Sequence, residues 1–261
     1  MTFSLLTYNV LFNRAFSKLE KILSKYNPDI LCFQEVDTGE ENLIRLEKYG
    51  YKLADYSNSL IKFGIVYGIA TYYNPKKIKL LDTDSFDLPK SLYEVITTAF
   101  KILKGGGKPR TILRTDFELM KSNKKVAIYN IHLTLFGINR TRTKQLEIVL
   151  NHGLKETEVP TIISGDFNYF PYSRKKLEHL MNQYGFKEAT KNLNYTFRIP
   201  DRKFGQYGFL QELGAKVVRN YYKKRLKPDY TFFKKIKLIK TERIEKEFSD
   251  HYPIISTFKI D

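Results

Sequence analysis

The chain has 261 residues, 42% of them hydrophobic and 15% aromatic, with 45 Lys and Arg against 28 Asp and Glu, a formal net charge of +17. That content supports a buried core and excludes a disordered chain, and the length fits one large domain or two small ones. The single cysteine, Cys32, excludes an intramolecular disulfide and a thiolate zinc cluster, and no run approaches the ~18 apolar residues that cross a bilayer. The first residues, Met1-Thr2-Phe3-Ser4-Leu5-Leu6, carry no basic n-region, so the expectation is a cytoplasmic protein.

Short strand-like runs alternate with helical patterns, with no internal repeat and no low-complexity linker. Phe3–Asn9 reads as a strand, and Phe16, Leu19, Ile22, Leu23 and Tyr26 then recur at helical spacing until Pro28. Asp29–Glu35 is a compact apolar strand. Thr38 with Glu41 predicts a capping box, opening a helix that Gly50 closes. Tyr51–Ala54, Gly64–Tyr73, Ile78–Leu81 and Ile112–Leu119 read as strands, as does Val126–Leu133, where Val126, Ile128, Asn130 and His132 share a face. A helix over Arg142–Leu150, strand Val159–Ser164, a helix over Lys175–Tyr184, and strands Asp229–Phe233 and Tyr252–Phe258 complete the set.

The charge is unevenly placed. Residues 1–100 hold 12 basic and 12 acidic residues, and residues 101–261 hold the other 33 and 16, which is the entire excess. A positive field of this kind concentrates polyanions, of which nucleic acid is the commonest. Residues 198–228 hold nine basic and two acidic residues interleaved with Phe204, Tyr207, Phe209, Tyr221 and Tyr222. That mixture suits phosphate contacts with base stacking, and equally a basic loop whose rings pack on the core. Gly105-Gly106-Gly107 lacks the spacing of a P-loop and reads as a surface loop.

Polar residues sit where strands end: Thr7-Tyr8-Asn9-Val10, Phe33-Gln34-Glu35-Val36, Asn130-Ile131-His132-Leu133-Thr134, Ser164-Gly165-Asp166-Phe167-Asn168, Pro228-Asp229-Tyr230 and Ser249-Asp250-His251. One such motif would cap a turn; six place carboxylates, amides and imidazoles beside apolar strands with no local need for them. In this order, from Asn9 to His251, they resemble the endonuclease/exonuclease/phosphatase superfamily of divalent-metal phosphoesterases. The resemblance implies one catalytic domain over residues 1–261. Its fold would be a four-layer α-β-β-α sandwich, two mixed β-sheets flanked by helices.

Carried over residue by residue, the resemblance implies that Glu35 is the main metal carboxylate, for Mg²⁺ or Mn²⁺, with Asn9 and Asp250 completing or supporting that site. Asp166 and Asn168 match residues that orient the attacking water and hydrogen-bond the phosphate. His251 matches an imidazole on the phosphate, as base or as cation, and Asp229 a carboxylate that orients a histidine. His132 matches a second histidine near the leaving group. His152 and His179 stand outside any motif and are assigned nothing.

The absence of tryptophan departs from the apurinic/apyrimidinic endonuclease branch, and the extended signatures of inositol-polyphosphate phosphatases are missing. Asp166-Phe167-Asn168 followed by Pro171 and Ser173 is similar to deadenylases and tyrosyl-DNA phosphodiesterase 2 relatives. The basic excess favours nucleic acid as partner, DNA over RNA, with Arg114, Arg140, Lys223, Lys224, Arg225 and Lys227 as candidate phosphate contacts. Anionic lipid headgroups or a small phosphoester are the alternative substrate. A catalytically inactive binding module is the alternative of another class, and no obligate protein partner is expected.

Overall fold

The computed structural model describes residues 1–62, 64–89, 111–135, 138–153, 158–199, 216, 220 and 225–260. The chain first lays down β1 (Thr2–Asn9), β2 (Ile30–Asp37), β3 (Lys52–Lys62) and β4 (Ile65–Tyr73). It continues with β5 (Ile78–Asp87), β6 (Thr111–Leu119), β7 (Lys124–His132), β8 (Thr161–Asp166) and β9 (Lys187–Glu188). A short ribbon of β10 (Phe197–Arg198) and β11 (Arg225–Leu226) precedes β12 (Asp229–Lys234), β13 (Lys237–Arg243) and β14 (Ile254–Lys259). Two six-stranded sheets result, ordered β13-β14-β1-β2-β4-β3 and β5-β6-β7-β8-β12-β9.

Each sheet contains one parallel pair near its centre, β1 with β2 and β7 with β8, and the other pairings are antiparallel. Parallel neighbours need a crossover. A 3₁₀ turn over Phe16–Lys18 with α1 (Glu20–Tyr26) makes the first. α2 (Glu40–Leu43) follows β2, α3 (Asn139–Gly153) makes the second crossover, and α4 (Arg174–Gln183) follows β8. α1 ends at Asn27, whose φ of 40° is left-handed and whose N–H bonds the Leu23 carbonyl just before Pro28.

Strand alternation sorts the apolar residues into three cores. Leu6, Tyr8, Leu31 and Phe33 face outward onto Phe16, Leu19, Ile22 and Leu46. Tyr129, Ile131 and Ile163 face outward onto Leu146, Val149, Leu177 and Met181 of α3 and α4. Between the sheets lie Phe3, Leu5, Ile30 and Cys32 against Phe117, Val126, Ile128 and Ile162. Phe258 packs there between Phe3 and Phe233, at ring distances of 5.8 and 5.6 Å. Helix, sheet, sheet and helix are thus stacked as the resemblance implied.

Two expectations need correction. The capping box does not form: the Thr38 hydroxyl donates to Asn58 Oδ1 at 2.6 Å, and Gly39 takes the N-cap position without a side-chain bond. The helix predicted up to Gly50 is one α-turn followed by a 3₁₀ stretch over Ile44–Tyr49, which Gly50 does close at φ 84°. The strand over Lys237–Arg243 was absent from the sequence reading. It is an edge strand without a continuous buried face, formed by pairing with β14. The Gly105–Gly107 tract and most of 198–228 lie outside the described residues, and no helix among the described residues is long and apolar enough to cross a membrane.

The gap between the sheets changes character along its length. Inward positions begin apolar, at Leu5, Cys32, Ile128 and Ile162, and turn polar towards the strand ends, at Asn9, Gln34, Asn130, His132, Ser164 and Asp166. A buried amide pair, Gln34 Nε2 donating to Asn130 Oδ1 at 2.8 Å, joins the sheets just before that polar end. Asn130 Nδ2 in turn donates to the Phe33 and Ala70 carbonyls, so the Asn130 amide is paired at both its oxygen and its nitrogen, whereas Gln34 Oε1 is buried without a hydrogen-bond partner among the described residues.

Candidate active site

Asp166, the last residue of β8, is the hub of the polar end. Its Oδ2 accepts a bond from Asn9 Nδ2 at 3.0 Å across the two sheets, and Oδ1 accepts the Asn168 N–H at 2.9 Å. His132 Nε2 lies 3.6 Å and His251 Nε2 3.9 Å from the same Oδ2. Gly165 makes this placement possible. Its φ is 144°, and a Cβ there would sit 2.0 Å from the Ile131 carbonyl oxygen of the paired strand. Only glycine lets β8 carry Asp166 this close to β7.

Glu35 reaches the site through a β-bulge. The register of β2 on β4 shifts between Gln34 and Val36, and Glu35 takes a left-handed φ of 58°. Gln34 faces inward, Val36 returns to the outer core, and the extra residue turns its carboxylate to the rim. Leu11, Phe12 and Asn13 are left-handed too, at φ 49°, 47° and 66°. Left-handed backbone costs such residues about 1–2 kcal/mol each. The turn is held by bonds of the Leu11 N–H to Asn9 Oδ1, the Phe12 N–H to Glu35 Oε2 and the Asn13 N–H to the Glu35 carbonyl. Glu35 Oε1 is 3.9 Å from His132 Nε2.

His251 and Asp229 form a buried pair, with Nδ1 at 3.0 and 2.9 Å from the two carboxylate oxygens. Thr196 donates its hydroxyl to Asp229 Oδ2 at 2.7 Å, and the Phe197 ring stands edge-on to the imidazole at 5.0 Å. Burial alone would lower the His251 pKa; Asp229 first, then Asp166 and Asp250, outweigh it and push it well above the ordinary imidazole range. Burial, with the Asp229 charge beside it, raises the Asp166 carboxyl against the opposing pull of His251, Asn9 and Asn168. The surrounding carboxylates thus favour the imidazolium form of His251, and burial makes Asp166 more basic than an ordinary carboxylate.

Asn168, left-handed at φ 50°, donates its amide to the Leu133 carbonyl at 3.1 Å, fixing the loop after Asp166 to the strand end that carries His132. Asp250 is buried and accepts the Ser249 hydroxyl at 3.1 Å. Lys62, at the end of β3, was missed by the sequence reading. Its ammonium lies 3.6 Å from the centre of the Phe12 ring, and burial lowers its pKa against the opposing charges of Glu35 and Asp250. Thr196 and Phe197 were missed as well. Nothing local marks these three residues, whose roles depend on chain segments distant in sequence.

The candidate phosphate contacts divide. Arg140 is exposed on the first turn of α3, a helix tied by Arg142 to the Thr134 and Leu135 carbonyls just beyond His132. Arg225 is exposed, with its guanidinium 4.5 Å from the Tyr195 ring. Lys223 and Lys224 lie outside the described residues. Arg114 is 7% exposed and forks onto Asp116 at 3.0 and 2.7 Å, so its charge is engaged inside the sheet. Lys227 is also 7% exposed, with its ammonium 2.6 Å from Glu188 Oε1 and from the Thr190 carbonyl. These two depart from the sequence expectation, because burial forces a lysine or arginine to find an internal partner. Lys227→Gln is expected to cost roughly 1–3 kcal/mol in a urea titration, because the buried Glu188 loses its closest cation and keeps only Arg174, at 3.4 Å, and the Thr190 hydroxyl. An unchanged midpoint would contradict that role.

The metal expectation meets a donor set of hard oxygens: Glu35, Asp166, Asp250 and the Asn9 amide. Such donors suit Mg²⁺ or Mn²⁺. Asp166, Asp229 and His251 also place donor atoms within 4.8 Å of one another. In that group His251 Nδ1 already bonds Asp229, and Thr196 fixes the same carboxylate. An oriented imidazole accounts for it directly.

Comparison with known proteins bears on the fold and the family. None of the curated protein sequences matches the chain. Among solved structures, the human Nocturnin catalytic domain with bound sulfate superposes with a TM-score of 0.70 at 18% identity, covering 100% of this chain and 94% of that one. D. rerio TDP2 complexed with a single-strand DNA product gives 0.65 at 16%, covering 99% of both chains. An endonuclease/exonuclease/phosphatase from Bacteroides vulgatus gives 0.70 at 16%, covering 100% of both. Those identities establish the shared fold. The sequence pattern described as Endonuclease/Exonuclease/phosphatase family matches residues 6–251, from β1 through His251, and with it every strand end that forms the site. The chain belongs to the endonuclease/exonuclease/phosphatase family.

Proposed function

We propose that the protein is a Mg²⁺-dependent phosphodiesterase that hydrolyses nucleic acid, DNA in preference to RNA, with Mn²⁺ able to replace Mg²⁺. The observation that carries this reading is the convergence on Asp166 Oδ2 of two imidazoles and an amide, with Glu35 at the rim. Glu35, with Asp250 and the Asn9 carbonyl oxygen, would hold the ion, which when bound neutralises charge on the scissile phosphate.

The protein groups supply the rest. Asp166, made more basic by burial, accepts the proton of the attacking water, and the Asn9 amide holds the carboxylate in place for that transfer. His251, kept cationic and fixed in orientation by Asp229, places positive charge where the phosphate oxygens gain negative charge in the transition state. His132, 3.6 Å from the same Asp166 oxygen, stands ready to stabilise the leaving oxygen. Asn168 holds the loop through Leu133, so its part is to position Asp166 and His132.

Nucleic acid is supported by the placement of the basic segment's ends. The Thr196 N–H bonds the Leu226 carbonyl, the Arg198 N–H bonds the Asp250 carbonyl, and Phe197 bridges to His251. The segment therefore leaves and re-enters the fold beside the catalytic imidazole. TDP2, one of the structural neighbours, was crystallised with single-strand DNA product. The test is cleavage of labelled DNA and RNA oligonucleotides beside lipid phosphodiesters, with Mg²⁺ and with EDTA. Arg140→Gln with Arg225→Gln is expected to raise KM for an oligonucleotide roughly tenfold at low salt, less at high salt, and to leave a small chromogenic diester unaffected. Equal losses on both substrates would remove the backbone-tracking role, and preferential hydrolysis of lipid would support the alternative substrate.

A further inference from the structure

At the end of the sandwich opposite Asp166, the start of β7, the approach to β8 and the ends of β12 and β14 enclose a cleft of about 630 Å³. Lys124, Lys125, Lys235, Lys237 and Lys259 line it, with Glu158 as the one carboxylate of the lining among the described residues. Pro160, Ile236 and Ile260 give it an aliphatic floor. β7 begins at Lys124 and ends at His132, which puts the cleft about 26 Å from the catalytic imidazole along the strand.

Three of the five lysines are poorly compensated among the described residues. Glu158 pairs with Lys235 at 2.9 Å, and among the described residues no carboxylate lies within ion-pair distance of Lys124, Lys125 or Lys237. Lys237 stands directly opposite Lys259 in the antiparallel register of β13 and β14. Like charges in that position oppose strand pairing, and a bound anion would reverse the sign of the contribution. We propose that this cleft is a second binding site, separate from the candidate active site, for a compact and multiply charged phosphate group such as a di- or triphosphate. A nucleic-acid strand fits less well, because the lining offers no aromatic ring for a base to stack on. Five lysines around one small cleft match a dense charge better than one charge per nucleotide, and the aliphatic floor can take an organic body attached to the phosphates.

The experiment is calorimetry and thermal melting with inorganic tripolyphosphate in EDTA, on the wild type and on Lys237→Gln/Lys259→Gln. The wild type is expected to bind and to melt higher with ligand. The variant should bind at least tenfold more weakly, melt higher than the wild type without ligand, and hydrolyse a small diester at the wild-type rate. Tighter binding of a nucleoside triphosphate would assign the floor to an organic body, and equal binding would assign the site to free polyphosphate; both results uphold the proposal. Unchanged tripolyphosphate affinity in the variant would overturn it. So would an equal shift from sulfate at matched ionic strength, or a loss confined to oligonucleotide binding.

Discussion

Glu35→Gln is expected to lower phosphodiester hydrolysis by about 10³-fold and to leave the melting temperature nearly unchanged. The rate follows from the several kcal/mol of transition-state charge stabilisation that a hard cation supplies, which Glu35 is placed to recruit. The stability follows from geometry. Glu35 Oε2 accepts the Phe12 N–H, a bond that the glutamine oxygen can keep, so the bulge and the left-handed turn after Asn9 persist. The charge removed interacts at the rim with Lys62 and, at 3.9 Å, His132, contacts loose enough that their loss costs little. Kinetics over a Mg²⁺ titration, beside a melting curve, check both halves. Wild-type turnover in the variant would remove Glu35 from the metal role, and a collapse in stability would assign it to the fold.

The second large effect belongs to the His251–Asp229 pair. His251→Ala is expected to reduce kcat by about 10³-fold, the size of effect seen when a positioned charge or donor is removed from a developing anion. Asp229→Asn should cost nearly as much without touching the reacting atoms. It removes the foremost raising influence on His251, so the ring loses its proton at lower pH and is no longer held by both carboxylate oxygens. The double variant should be little worse than His251→Ala, because the two side chains act as one unit. A double-mutant cycle with NMR titration of the ring measures this. Additive losses, or an unshifted titration in Asp229→Asn, would contradict the pairing.

The motif residues were legible because a carboxylate or imidazole at the end of an apolar strand has no local purpose. Glu35, Asp166 and His251 stood out for that reason. How Glu35 arrives was not legible, since a bulge at 35 leaves no mark in a run that reads as an unbroken strand. Gly165 was visible within its motif, but the need for glycine came from the Ile131 carbonyl of a neighbouring strand. Charge counting failed at Lys227 and Arg114 because a basic residue's partner, here Glu188 or Asp116, decides whether its charge faces water. Thr38 failed as a cap because Asn58, twenty residues on, competes for its hydroxyl. β13 was missed because an edge strand held by pairing shows no apolar period.

A carboxylate-centred phosphodiesterase site is tested most directly by hydrolysis of a labelled single-stranded DNA oligonucleotide by the metal-stripped protein. Cleavage should appear on addition of Mg²⁺, cease with EDTA, and fall by about 10³-fold in Glu35→Gln. Equal cleavage by the variant, or no hydrolysis by the wild type of any DNA, RNA or lipid phosphodiester with Mg²⁺ or Mn²⁺, would contradict a metal-dependent site built on Glu35 and Asp166.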